Sequence, residues 1–186
     1  MSRIDWRIPR GRRDHLFGTG ATPVEKLLAI GVAAVGTALV LAAAPIEEWF
    51  WWQTAIVSVV AFDLLGGVVA NGLGSAKREH HHDGSDLRPM LFAAAHVQPI
   101  VVGLMFGALW WGFAWYAVAL VSVVVVRSVP LFLQRPVALG ACTIVAVVAP
   151  AAPSPDGLGW VPVVLMLKLA LAHAVTEEPY RPKEAS

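Results

Sequence analysis

From Pro89 to Val126 the chain runs through 38 residues without a single Asp, Glu, Lys or Arg. As one helix that run would be about 57 Å long, nearly twice the thickness of a bilayer's hydrocarbon core. It must turn. Gly103, Gly107 and Gly112, interleaved with Trp110, Trp111 and Trp115, put the turn near Gly107 at an aromatic membrane interface. Two crossings result, about Pro89 to Phe106 and Ala108 to Val126. Composition agrees: 57% hydrophobic and 15% charged residues, with a mean hydropathy of +0.64, are the figures of a membrane protein.

The remaining crossings follow from the same arithmetic. Leu27 to Ala44 is uncharged and about 27 Å long as a helix. Its Ala42-Ala43-Ala44 end imitates a signal-peptide cleavage site, but Pro45 would follow the cut and further spans come after it, so a retained helix is expected. A second span runs from about Phe50 to Gly74, entered through the tryptophans of IEEWFWW. Its small residues Gly66, Ala70 and Gly74 recur at four-residue spacing, the pattern of a close helix contact, with Asp63, Gly67 and Asn71 on the neighbouring stripe. Lys77 to Arg88 is expected as a charged loop. A fifth span covers Pro136 to about Ala151, short unless Leu131 to Leu133 begin it. After a Pro- and Gly-rich turn, a sixth runs from about Trp160 to Val175.

The expected fold is therefore all-α and polytopic, with six transmembrane helices over residues 27–175, a basic tail over 1–26 and a polar tail over 176–186. Lys and Arg number six in the first tail, three and two in the loops after spans two and four, and two in the last tail. With Lys168 inside a span, these account for all 14, and none falls in the three turns on the opposite side. Such a positive-inside distribution places both termini in the cytoplasm, in a plasma (bacterial inner) membrane. Cys142, the single cysteine, lies in an apolar run and reads as a small buried hydrophobe.

An ionisable group at bilayer depth is expensive and marks a functional candidate. Asp63 lies about 13 residues below the outer aromatic cluster and Lys168 eight residues below Trp160, at similar depth, so the two are natural partners. Such a pair either locks span two to span six or works chemically. His96 sits in AAAHVQPI, where Pro99 removes a backbone donor and opens the helix beside it. His173 is followed at four-residue spacing by Glu177, a carboxylate placed to orient the imidazole. Asp63, His96, Lys168 and His173 are thus the candidate catalytic residues, and Asn71, Gln98 and Glu177 the candidate substrate-binding ones.

The run His80-His81-His82 offers imidazoles of the kind zinc, copper or iron accept. Three consecutive histidines lack helical i, i+4 ligand geometry, however, and a solvated loop is the expectation. No aspartate-rich pair for magnesium diphosphate, Gly-x-Ser-x-Gly elbow or P-loop is present, and no cofactor is specified. The expected partners are the lipid bilayer, a lipophilic small molecule and further copies of the chain, and not nucleic acid. The expected activity is acid/base chemistry on a lipophilic substrate in an intramembrane pocket open to the cytoplasmic side. A small proton- or cation-coupled transporter, or a subunit of a membrane complex, is the alternative.

Overall fold

A computed structural model describes residues 2–10 and 13–182 of the chain; Arg12 and Lys183, counted in the charge pattern, lie outside them. The first helix, α1 (Pro23–Ala43), starts at a complete capping box. Thr22 Oγ1 accepts from the Glu25 N–H, Glu25 Oε2 accepts from the Thr22 N–H at 2.6 Å, and Pro23 supplies a preset φ. One 3₁₀ turn, Ile46–Glu48, leads to α2 (Trp51–Gly72). The expected small-residue contact forms here. A Cβ at Gly66 would stand 2.8 Å from Ala33 Cβ, so the two helices touch nearly backbone to backbone.

The expected loop after α2 is instead a helix, α3 (Gly74–His81), and its polar residues are not solvated: Ser75, Lys77, Arg78 and His81 are all buried. Ser75, Lys77 and His81 each spend their side-chain polar atoms on backbone carbonyls elsewhere in the chain. The long uncharged run is broken twice. Helices α4 (Leu87–Ala94) and α5 (Gln98–Met105) are separated by Ala95 to Val97, just before Pro99, where the ladder tightens to short bonds such as His96 N–H to Ala93 O. Gly107, at φ +68°, then reverses the chain into α6 (Leu109–Ser128). Helix α7 (Leu131–Val148) begins before Pro136, so Leu131 to Leu133 do open the fifth hydrophobic segment.

The final helix, α8 (Trp160–Met166), widens into a π-helical stretch, Leu167–His173, in which the Ala174 N–H reaches Leu169 O. It is the centre of the bundle. Val161, Leu165, Met166, Leu169 and Ala170 are at most 1% exposed, packed among α2, α6 and α7. Among the described residues five helical segments, counting the broken α4 and α5 as one, are long and apolar enough to cross a membrane; Trp160–His173 is shorter. Fourteen residues rise only about 21 Å. Helix α1, by contrast, leans on α2 from outside and reaches the core only at its margin, through Val40. Two short strands from opposite halves of the sequence meet: β1 (Ser2–Ile4) pairs antiparallel with β2 (Tyr180–Pro182).

Candidate functional site

Because α1 touches the bundle mainly through α2, a cleft of about 690 Å³ remains beside that contact. Its floor is α2 from Ser58 to Asn71, one wall is α1, and Phe92 and His96 form the other. Ile30, Val59 and Phe62 line it and are exposed, so the cleft is open along the outside of the α1–α2 pair. His15 to Phe17 line its far end. That segment is tied to α3, where Ser75 Oγ donates to Phe17 O at 2.5 Å and Thr19 Oγ1 donates to Glu79 Oε2 at 2.9 Å. Gly18 permits the contact, at φ +79° and with no room for a Cβ against the Ser75 backbone.

Asp63 stands on the cleft floor with its side chain 47% exposed, and Lys168, 3% exposed, reaches it from behind α2. Lys168 Nζ donates to Asp63 Oδ2 at 2.7 Å and to the Asp63 carbonyl at 3.2 Å. The same Oδ2 accepts from Gln98 Nε2 at 2.9 Å. Two donors on one carboxylate oxygen fix its orientation and leave Oδ1 without a hydrogen bond among the described residues. Gly67 is what lets the lysine through: a Cβ there would lie 2.4 Å from Lys168 Cε.

His96 is buried on the cleft wall, and its Nδ1 lies 2.6 Å from Phe92 O. A carbonyl only accepts, so Nδ1 carries the proton and Nε2 is left as the basic nitrogen. Asn71 lines the cleft near His15 to Phe17, buried, with no partner for Nδ2 among the described residues. Thr37 Oγ1, on the α1 wall, is likewise unpartnered.

His173 is not in this cleft. Phe92 stands between the two imidazoles, its ring 4.3 Å from that of His96 and 3.9 Å from that of His173. Nor does Glu177 orient His173. The helix ends at His173 and the chain turns away, so Glu177 pairs with Arg135 at 2.6 Å, on a second cavity of about 770 Å³ beside Lys77. His173 Nε2 has no partner among the described residues.

The Lys77-to-His82 stretch, expected to be solvated, closes the end of the final helix. A buried helix C-terminus leaves carbonyls that need donors, and cations suit the negative end of its dipole. Lys77 Nζ bonds the Ala172 carbonyl and, at 2.6 Å, that of Val175; His81 Nε2 takes His173 O at 2.9 Å; Arg127 takes Ala174 O at 3.2 Å. Burial pulls the Lys77 ammonium down to about 8. Burial first, and then the nearby Lys77 charge, pull His81 down to about 4. His80 packs edge-on to His173 at 5.0 Å, and His82 Nδ1 turns back to the carbonyls of Arg78 and Glu79. Among the described residues no group of three or more His, Cys, Asp or Glu side chains is arranged to hold a metal ion.

No protein-family model matches the chain, and neither a curated protein nor a solved structure is similar to it.

Proposed function

We propose that the chain crosses a plasma membrane six times, with both ends in the cytoplasm, and acts as an enzyme doing acid/base chemistry on a lipophilic molecule in the α2-floored cleft. The observation that carries the activity is the Asp63 carboxylate, anchored at one oxygen by Lys168 and Gln98 and presenting the other to an otherwise mainly apolar cleft. Asp63 takes or returns the proton, Lys168 and Gln98 hold it in position, and His96 on the opposite wall is the second proton-transfer group. Two supports bear on topology. Two strands that pair lie on one side of a membrane, which requires an even number of crossings between them, and the Lys and Arg distribution favours the cytoplasmic side for both. A central helix shielded by its neighbours and capped by α3 need not match the bilayer alone, so the short final helix fits a sixth crossing.

The test is turnover of a membrane lipid extract by the purified protein, followed by mass spectrometry. Asp63→Asn keeps an oxygen for Lys168 and should leave a folded protein in detergent while abolishing product formation. Full retained activity removes the reading. Asp63-dependent ion flux in proteoliposomes, without any product, would replace it with transport.

A further inference from the structure

The cleft carries an asymmetry that bears on what it holds. Asp63 and Lys168 compensate each other's charge, and Lys168 and Gln98 both bond Asp63 Oδ2. A cationic or anionic ligand group would therefore be desolvated at this depth with no free counter-charge to meet it. A neutral donor faces no such penalty, since Asp63 Oδ1 is an unengaged acceptor at the cleft floor. Two buried polar atoms of lining residues, Thr37 Oγ1 and Asn71 Nδ2, have no partner among the described residues and are also neutral, and the free Nε2 of His96 is a further acceptor on the wall. Around them the lining is alanine, glycine, Ile30, Val59 and Phe62, and from Ser58 to Asn71 the floor is about 20 Å long, room for an extended chain. The volume is that of a small-molecule site.

We infer that the cleft binds a neutral long-chain lipid alcohol, aliphatic or isoprenoid, whose hydroxyl donates to Asp63 Oδ1 while its chain lies along α2 between α1 and Phe92. The inference rests on the cleft being a lipophilic site, and it names the ligand class that site takes. Asp63 is the group that touches the hydroxyl; Lys168 and Gln98 position it.

The experiment is photolabelling of the full chain in nanodiscs with a clickable diazirine analogue of hexadecanol, competed by hexadecanol, geranylgeraniol, palmitate, hexadecylamine and hexadecane. The two alcohols are expected to compete at about tenfold lower concentration or better than the other three, the difference of one hydrogen bond to a charged group. Label should map to peptides of α1, α2 and α4. Asp63→Ala should reduce labelling by a similar factor, and so should Asp63→Ala combined with Lys168→Met, in which no lone charge remains to unfold the protein. Equal competition by hexadecane, or stronger competition by palmitate or hexadecylamine, overturns the inference. Alcohol binding without Asp63-dependent turnover would keep this ligand class and remove the enzymatic reading. Turnover of a lipid lacking a hydroxyl would do the reverse.

Discussion

Lys168 meets Asp63 at 2.7 Å by passing across the face of α2 at a residue with no side chain, Gly67, one helical turn beyond the aspartate. The ion pair thus depends on a third position that bears no charge.

Gly67→Ala should accordingly behave as a loss of the pair. The added Cβ falls on the flexible end of Lys168 and not on backbone, so the lysine swings aside and overpacking is mild. Thermal unfolding in detergent should fall by only a few degrees, while lipid turnover or alcohol labelling drops to the level of Lys168→Met. Wild-type turnover in Gly67→Ala would mean that Lys168 does not need to reach Asp63.

Removing the two partners singly should not be equivalent. Asp63→Ala leaves the buried Lys168 ammonium with only a backbone oxygen, whereas Lys168→Met leaves a half-exposed carboxylate still bonded by Gln98. Loss of a partner from a buried ion pair costs about 3 kcal/mol or more. Asp63→Ala should therefore destabilise more than Lys168→Met, and the double variant should recover most of the difference. Equal losses in a double-mutant cycle would contradict this geometry.

Gly66 and Gly31 offer a contrast within one helix pair. A Cβ at Gly66 meets Ala33 Cβ at 2.8 Å, where neither atom can yield, whereas one at Gly31 meets nothing within 4 Å. Gly66→Val should push α1 off α2 at about 1–3 kcal/mol and expose α1 to protease. Gly31→Ala should be neutral or slightly stabilising through helix propensity.

His81 should make the fold acid-sensitive. Its value in the folded state, about 4, lies below the ordinary 6.5, so the folded protein binds fewer protons between those values and loses stability as pH falls through that window. The full effect is about 3 kcal/mol. His81→Gln keeps a donor for His173 O but does not titrate, so it should flatten the decline in unfolding temperature between pH 6.5 and 4. An unchanged slope would show that His81 stays neutral for no energetic reason.

Much of the scaffold is legible in the chain itself. The glycine turn at Gly107, the Gly66 contact and the Asp63–Lys168 pairing all follow from helix rise and residue spacing. What escaped was tertiary. Polarity made Lys77 to His82 look solvated, because nothing local says that a helix end made later in the chain needs those donors. Helical spacing paired Glu177 with His173, but the π-helical stretch ends at His173 and cancels that register. Gly67 stood on the polar stripe beside Asp63, yet only the path of Lys168 shows why it is bare.

The donors that close the final helix precede it by a long stretch of sequence, Lys77 standing 95 positions before Ala172, whose carbonyl it bonds. During synthesis Lys77 and His81 therefore cannot make these bonds until the last helical segment has been made. Only then do those bonds form, and β1 gains its pairing strand at about the same moment. Completion of the bundle is in this sense a single late event, and a nascent chain stalled before Trp160 would hold its first five segments with no centre to close around.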